Sequence, residues 1–499
     1  MSIREKIVMQ DGAVFPAKAF ADAVLEPVFD TQRDYYYQHF LEISLAHAVM
    51  LHEQGILERE ETRIILRGLL EIREIDFSNA KYNPAYEDMF FTLEKDLERR
   101  IGAIPAGRLH IARSRNDVGI CQYRMALRLQ LLAALCAVRR LTETLIEVAG
   151  EHVETVMPAY THTQPAQPTT FAHYLLAFCD SLIRGWERLF GAYGSVNRST
   201  LGAAAITTTG FPINRERMSE LLGFDGLVEN SYDAIACVEY ITHTASALTE
   251  LGVSLSRFLK DTLDFCTREY GYFRLADPYV QISSIMPQKR NPSSLEHARP
   301  ITSALIGQAQ TAVMMLHNTP FGDMVDSEEQ LQPHLYASIE NLMRVLTLLT
   351  NNYATMEVNK DIMRKRAGEG FITATELADT LVRDGGLSFR ESHRITAAIV
   401  RTMYEKGLTQ SELTPDIIRE IAGGGAEVNR AMIETALNPA HFISIRGITG
   451  GPAPDEVRRM LTDRQSSCAA LALHIDELRK HLADAHQLLE VSVQRITET

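Results

Sequence analysis

Residues 282–297 read Ile-Ser-Ser-Ile-Met-Pro-Gln-Lys-Arg-Asn-Pro-Ser-Ser-Leu-Glu-His. Pro287 and Pro292 prevent one continuous helix through this segment, because proline has no backbone N–H to donate. Pro292 suits the first position of a helix and Asn291 suits its N-cap. We therefore predict a polar loop that ends at a helix N-terminus, where free backbone N–H groups, Lys289 and Arg290 favour an anion. A solvated surface loop is the alternative, but it does not explain the apolar Ile-Met pair between two polar clusters.

The segment from Ser283 to Pro292 resembles the signature loop of the fumarase/aspartase superfamily, and Gln288 is the variant of its argininosuccinate lyase branch. The resemblance implies that the loop closes over a succinyl group. It also implies that Ser283 is the base that removes a proton from the carbon next to a carboxylate. One difference is Ile282, where the family usually has Gly. The other loop residues that we expect to contact substrate are Ser284, Met286, Lys289 and Asn291.

Composition limits the possible classes of function. The chain has 499 residues, of which 45% are apolar. A chain of this length is too long for a single core. A formal net charge of -14 disfavours non-specific binding to nucleic acid or membranes. The nearest two of the six cysteines, Cys121 and Cys136, are 15 residues apart, so the thiols are interpreted as reduced core residues of a cytoplasmic protein. We find no apolar run near the ~20 residues of a membrane helix.

Long apolar stripes at helical spacing predict an all-α fold. The predicted helices are 121–153, 171–193, 233–270, 301–317, 334–352 and 469–495. We expect three domains: an N-terminal helical domain (1–112), a central bundle with the signature loop (113–363) and a C-terminal helical domain (364–499). The family resemblance implies a homotetramer with a core of roughly twenty helices and active sites shared between three subunits. The run Gly423-Gly424-Gly425 lacks the Lys and Ser/Thr of a phosphate loop and is interpreted as a flexible segment.

A second motif, Leu109-His-Ile-Ala-Arg-Ser-Arg-Asn-Asp117, resembles the Leu-His-Thr-Gly-Arg-Ser-Arg-Asn-Asp of the branch. Two guanidinium groups, a hydroxyl and an amide within four residues suit a carboxylate, because planar donor pairs match planar acceptors. An exposed basic turn is the alternative, and the presence of the signature loop favours binding. The predicted substrate-binding residues here are Arg113, Ser114 and Asn116.

A third motif, Tyr160-Thr-His-Thr-Gln-Pro-Ala-Gln-Pro168, resembles the Tyr-Thr-His-Leu-Gln-x-Ala-Gln-Pro of the branch. Its prolines and polar side chains predict the start of a helix. A histidine with an ordinary pKa can move a proton at physiological pH. The resemblance implies that His162 is a catalytic residue oriented by Glu296 and that Thr161 binds substrate. A purely structural histidine is the alternative.

The segment 319–333 differs from the branch at the positions that bind the leaving group. Argininosuccinate lyases hold a Tyr, a Gln and a Lys that bind the amino-acid end of the arginine moiety, and the matching positions here are Asp323, Glu328 and Leu331. Two carboxylates would repel a carboxylate. We therefore predict a cationic amine, such as a di- or polyamine, as the leaving group, with Asp323 and Glu328 in contact with it.

Together these patterns predict a carbon-nitrogen lyase that cleaves an N-substituted aspartate to fumarate and a free amine, reversibly, with no metal or organic cofactor. Three alternatives remain. The first is a genuine argininosuccinate lyase. The second is a hydratase, adenylosuccinate lyase or cycloisomerase of the same superfamily, which Arg-Ser-Arg-Asn-Asp and Gln288 disfavour. The third is a non-catalytic structural protein on the same scaffold. The expected partners are small molecules and other copies of the chain.

Overall fold

The computed structural model describes residues 1–423 and 428–498. The N-terminal part is helical, and the apolar faces of its helices share a core. Within it, α4 is buried along almost its whole length, from Tyr37 to Leu51. The helices here are α1 (Ile3–Asp11), α2 (Lys18–Phe20), a π-helical turn (Ala21–Leu25), α3 (Glu26–Tyr35), α4 (Tyr37–Glu53), α5 (Arg59–Arg73), α6 (Met89–Ile101) and α7 (Ala103–Arg108).

The central part contains five long helices whose apolar stripes form the largest core. Short two-stranded pairs and turns connect them: β1 with β2, β3 with β6, and β4 with β5. The elements are α8 (Arg115–Glu151), β1 (Val156–Thr161), β2 (Gln164–Thr170), α9 (Phe171–Val196), α10 (Arg215–Leu221), α11 (Ser231–Ala236), α12 (Glu239–Phe265), β3 (Phe273–Arg274), a 3-10 turn (Asp277–Tyr279), β4 (Gln281–Ile282), β5 (Arg290–Asn291), α13 (Ser293–Leu316), a second 3-10 turn (Val325–Ser327), α14 (Gln332–Thr355) and β6 (Glu357–Val358).

The C-terminal part consists of short helices followed by one very long helix. That last helix, α21, returns along the molecule, with Leu471 and Ile475 in the central core and Leu489 and Val493 in the N-terminal core. The predicted packing of the closing helix on the body is therefore confirmed. The elements are α15 (Lys360–Ala367), α16 (Ala374–Arg383), α17 (Phe389–Glu405), a 3-10 turn (Gln410–Glu412), α18 (Pro415–Ala422), α19 (Arg430–Ala436), α20 (Pro439–Ser444) and α21 (Pro454–Thr497).

Successive long helices run antiparallel. Near the start of α8, the Arg124 guanidinium donates to the carbonyl of Ser195 at the end of α9, 2.9 Å away. Midway along both helices, the Trp186 indole N–H donates to the carbonyl of Leu135 at 3.1 Å. Ser294, at the start of α13, donates to the side chain of Asn352 near the end of α14 at 3.1 Å. Each connection therefore lies at one of two opposite ends of the bundle.

The predicted all-α class is confirmed, and all six predicted long helices are present with shifted ends. The stretch predicted as one helix over 233–270 is divided at Cys237 and Val238 into α11 and α12. The glycine run at 423–425 lies outside the described residues except for Gly423. In the described part of the chain, none of the helices combines the length and the apolarity that crossing a membrane requires.

Helices α12 and α13 approach closely at Gly252. A Cβ atom at this position would lie 2.8 Å from side-chain carbons of both Ile306 and Leu305. We predict that Gly252→Ala destabilises the protein by about 1–3 kcal/mol through overpacking. Thermal unfolding measures the effect. Gly194→Ala in α9, where a Cβ atom meets nothing within 4 Å, is the matched control and should maintain or raise the unfolding midpoint. Equal midpoints for the two variants would contradict the close approach.

Candidate active site

The signature loop places two backbone donors at the Ser283 hydroxyl. Its Oγ accepts hydrogen bonds from the backbone N–H of Met286 at 3.2 Å and of Ile285 at 3.4 Å. The loop is closed at its base by the β4–β5 pair, and the Arg290 guanidinium donates to Asp277 at 2.6 Å. Ser283 is half-buried, whereas Ser284, Met286 and Lys289 are exposed. Such donors stabilise negative charge on the serine oxygen.

The helix after the loop begins later than the sequence predicts. Asn291 was expected as the N-cap and Pro292 as the first helical residue. Instead, Pro292 is the N-cap and Asn291 is paired with Gln281 in the β-ladder. The expectation was wrong because this pairing holds Asn291 in an extended conformation. Glu296 lies in the first turn of α13 and is exposed.

Thr161 and His162 lie at the tip of a β-hairpin, not at the start of a helix. Thr161 pairs with Gln164, so His162 and Thr163 form a two-residue turn with φ values of 50° and 63°. Positive φ at both positions is the type I′ geometry, for which Asn-Gly is the preferred sequence. A β-branched Thr is unfavourable there. The helix prediction failed because the Pro-rich strands pair with each other, and His162 is exposed at the tip.

The second motif begins α8, with Ser114 as its N-cap. Asp117 is buried and accepts from the backbone N–H groups of Ser114, Gly202 and Ala204 at 2.9–3.0 Å. Burial raises the pKa of Asp117 to about 6, against these hydrogen bonds. The Asn116 amide donates to the carbonyl of Ala205 at 3.1 Å. Asp117 therefore fixes the motif against the loop that follows α9.

The two arginines of this motif have different environments. Arg113 points inward, where its guanidinium donates to Ser44 Oγ at 3.1 Å and to Glu94 at 3.5 Å, and its side chain is 3% exposed. Burial lowers the pKa of Arg113. The Arg115 side chain is 40% exposed and donates to Asp88 at 2.7 Å and to Glu87 at 3.2 Å. Arg115 is thus the guanidinium of the motif that is open to a ligand.

The loop before α14 forms an acidic cluster with Asp323, Glu328 and Glu329. The Asp323 and Glu328 carboxyl groups share a hydrogen bond. Burial, Glu329 and Asp323 together raise the pKa of Glu328 to about 7, although Arg115 favours its ionised form. Burial also raises the pKa of Asp323. Leu331, in contrast, is fully buried in the central core and cannot contact a ligand.

The predicted site residues fall at opposite ends of the bundle. At one end lie Ser114, Arg115 and Asn116 together with the acidic cluster. At the other end lie the His162 hairpin and the signature loop. The Tyr160 hydroxyl of the hairpin is hydrogen-bonded at 2.5 Å to that of Tyr272, in the segment between α12 and the loop. Helix α8 has 37 residues, so the ends are separated by about 50 Å at a rise of ~1.5 Å per residue. In the described part of one chain, no hydrogen bond or ion pair joins His162 to Glu296 or Ser283.

Sequence reasoning did not select Arg115, Asp117 or Glu329. The repeated Arg-Ser-Arg pattern was a signal for Arg115, but it did not indicate which arginine is buried. Glu329, whose carboxylate accepts from Gln32 Nε2 at 3.2 Å, was indicated only by its place beside Glu328. Among the described residues, no group of three or more His, Cys, Asp or Glu side chains is arranged to hold a metal ion.

Comparison with known proteins connects this geometry to a family. A family model described as lyase matches residues 28–307, and a model of the argininosuccinate lyase C-terminal region matches residues 371–444. Argininosuccinate lyase 2 of Agrobacterium fabrum is 38% identical over 486 residues, which is 96% of each chain. The chain belongs to the argininosuccinate lyase branch of the fumarase/aspartase superfamily. The argininosuccinate lyase of Methanosarcina barkeri is 39% identical over 85% of this chain and 86% of its own.

Solved structures agree with this family membership. The crystal structure of EDDS lyase in complex with formate has a TM-score of 0.87 and 34% identity, covering 99% of this chain and 98% of that one. An EDDS lyase variant with bound fumarate has a TM-score of 0.86 and 34% identity, covering 100% and 99%. The class II fumarase of Schistosoma mansoni, at 15% identity and a TM-score of 0.69, shares the fold. This member of the branch is a carbon-nitrogen lyase that releases fumarate.

The strained hairpin tip gives a testable consequence. Thr163 has a φ of 63°, which costs a non-glycine residue about 1 kcal/mol or more. We predict that Thr163→Gly raises the thermal unfolding midpoint, because glycine adopts this conformation without strain. The control is Thr242→Gly in helix α12, where glycine is less favourable than threonine and the midpoint should fall slightly. A lower midpoint for Thr163→Gly would show that the turn is not strained.

Proposed function

We propose that this lyase cleaves N-substituted aspartates whose amine half is cationic and lacks a carboxylate, releasing fumarate and the free amine. The proposal is supported best by the presence of two features in one chain. One is a serine whose hydroxyl accepts two backbone hydrogen bonds, and the other is an acidic cluster where the branch has neutral and basic residues. Ser283 suits proton abstraction beside a carboxylate. Asp323 and Glu328 suit an ammonium group.

Ser283 is the proposed base. A serine alkoxide is accessible only when its negative charge is stabilised, and the N–H groups of Ile285 and Met286 point at its oxygen. Removal of the proton places a second negative charge on the adjacent carboxylate of the substrate. The Lys289 ammonium and the Asn291 amide lie on the same loop, and we assign to them the stabilisation of this negative charge. The electron pair of the broken C–H bond forms the double bond of fumarate as the C–N bond breaks.

The remaining succinyl contacts come from the other motifs. We assign carboxylate binding to Ser114, Asn116 and Thr161, with Ser284 and Met286 covering the substrate from the loop. Sequence reasoning assigned Arg113 to substrate as well. Its buried contacts with Ser44 and Glu94 favour a positioning role instead, holding the motif while Arg115 faces the ligand.

Protonation of the departing nitrogen is assigned to His162, oriented by Glu296. Both side chains are exposed and unconnected within one chain. Because the two ends of the bundle are about 50 Å apart, one copy cannot bring Ser283 to the acidic cluster. We therefore propose that the site is completed by other copies in a homotetramer, as the family resemblance implies, with three subunits contributing to each site. The exposed His162 and Glu296 at one end and the exposed Arg115 at the other support this arrangement.

The amine specificity follows from charge. Glu87, Asp88, Asp323, Glu328 and Glu329 are carboxylates that share one region with Arg115. A leaving group with its own carboxylate would be repelled, whereas a distal ammonium would be attracted. Leu331 offers no cation to reverse this balance.

A genuine argininosuccinate lyase is the second candidate, favoured by the names and the 38–39% identity of the relatives from Agrobacterium fabrum and Methanosarcina barkeri. The non-catalytic scaffold protein that the sequence left open is not favoured, because the chain belongs to a family of lyases. Such a protein has no need of the donors at Ser283 or of the strained His162 turn.

The amine panel separates these candidates. Fumarate is incubated with diaminopropane, spermidine, arginine and an alkylamine that has no second charged group, and its loss is followed by ultraviolet absorbance. We predict consumption with the first two and little with arginine. Ser283→Ala should lower the rate at least about 100-fold, because general base catalysis contributes on this scale. Ser303→Ala, an exposed serine elsewhere in α13, is the matched control. Efficient cleavage of argininosuccinate supports the second candidate, and no turnover of diaminopropane or spermidine contradicts the proposed substrate class.

Amine binding should depend on the ionisation of Glu328. Its pKa is about 7, raised by burial and by Glu329 and Asp323, so the carboxylate is mostly protonated below that pH and ionised above it. We predict that product inhibition by diaminopropane strengthens by about tenfold from about pH 6 to about pH 8, where primary ammonium groups stay charged. Diaminopropane should inhibit the Glu328→Gln variant weakly, and to the same extent at every pH in this range. A steep profile in that variant would place the titrating group elsewhere.

A further inference from the structure

An aromatic pair lies beside the acidic cluster. Tyr232, in the first turn of α11, stacks against Phe321 with ring centroids 5.9 Å apart and an interplanar angle of 17°. The Tyr232 hydroxyl donates to the backbone carbonyl of Phe321 at 3.2 Å. Tyr232 is 46% exposed and Phe321 is 64% exposed, so the stacked faces do not belong to a core. Two large exposed rings held in one geometry are unusual for a surface that only meets water.

The pair is fixed relative to the carboxylates by the chain itself. Phe321 is two residues before Asp323, and a Cβ at the intervening Gly322 would make an ordinary contact, 3.9 Å, with the Tyr232 hydroxyl oxygen. Asp323 in turn shares a hydrogen bond with Glu328. The rings therefore border the region that we assign to the amine half of the substrate.

The sequence at Tyr232 also departs from the branch. The segment Asn230-Ser-Tyr-Asp-Ala234 resembles a family pattern with Met in place of Tyr. This departure lies next to the other replacement, at Asp323. A ring face and a carboxylate both attract cations, and the ring adds contact with alkyl groups on the charged nitrogen. Tyr232 and Asp323 thus both replace residues of the family pattern with groups that attract a cation.

We propose that Tyr232 and Phe321 form a cation-π platform that selects amines whose distal ammonium carries alkyl groups, with Asp323 and Glu328 as its counter-charges. This inference rests on the proposed function and narrows its substrate class from cationic amines to N-alkylated di- or polyamines. Tyr232 is a specificity-determining residue in this assignment. It does not take part in proton transfer.

The test compares two amines of similar shape as nucleophiles toward fumarate: dimethylaminopropylamine, with a charged distal nitrogen, and isohexylamine, which has a carbon there. Tyr232→Met restores the residue of the family pattern. It should raise the KM of dimethylaminopropylamine about three- to fivefold, the scale of one exposed cation-π contact. The KM of isohexylamine should change less, and the KM of fumarate and kcat should stay constant.

Two further variants separate recognition from loop positioning. Tyr232→Phe keeps the ring but loses the hydrogen bond to Phe321, and it should retain the low KM for dimethylaminopropylamine. Tyr404→Met, at an exposed tyrosine of α17, is the matched control and should change none of the constants. If Tyr232→Phe behaves like Tyr232→Met, or if Tyr232→Met lowers kcat, the ring acts through the loop and the inference is overturned.

Different results overturn the cation-π platform and the proposed lyase function. Amine addition to fumarate with the same KM in wild type and Tyr232→Met overturns the platform and leaves the lyase activity in place. If wild type adds neither amine nor any member of the panel, the proposed function fails, and the platform fails with it.

Discussion

The apolar stripes of α8, α9, α12, α13 and α14 can be buried only against one another, and this constraint places the chemistry of the molecule at helix ends. Positions along the middle of these helices are occupied by core residues such as Leu131, Leu182 and Leu255, each fully buried. Polar motifs are therefore confined to the connections. The Ser114 motif, the signature loop and the acidic cluster each immediately precede the N-terminus of a long helix. Helix N-termini favour anions, which suits a dicarboxylate substrate.

The same constraint keeps the predicted site residues of one chain at two opposite ends of the bundle. Antiparallel packing places successive connections at alternating ends, so Ser283 and the acidic cluster are separated by the length of a long helix. In the homotetramer that we propose, copies packed in opposite directions bring unlike ends together. The proposed arrangement also separates two tasks: the signature loop and the hairpin carry the proton chemistry, while the other end holds residues that recognise the substrate and can vary with the amine.

Electrostatics distinguishes this lyase from the pattern of its branch. The family resemblance implies a Tyr, a Gln and a Lys that hold the carboxylate of an arginine moiety, and here Asp323, Glu328 and Leu331 occupy those positions. Burial makes such carboxylates costly to ionise unless a cation accompanies them. The raised pKa of Glu328 expresses this cost. A cationic amine would relieve it, so binding and ionisation favour each other.

Much of this could be predicted from residue patterns, because helical periodicity and the signature loop are local. The stripe from Leu127 to Leu145 identifies α8 without knowledge of its partners, and the order Ser-Ser-Ile-Met-Pro-Gln-Lys-Arg-Asn-Pro identifies the family. The hairpin that carries His162 was not predictable in the same way, because it depends on pairing between Val156 and Thr170. The inward direction of Arg113 depends on Ser44 and Glu94, which are distant in sequence.

The sequence by itself thus determined the helical class, the family and the residue types available for chemistry, since each is encoded in short segments. Only the tertiary structure decided which arginine of the second motif is open to a ligand, where the helix after the signature loop begins, and which motifs share an end of the bundle. These outcomes depend on contacts between segments far apart in the chain, and the free energy of such contacts cannot be read from local spacing.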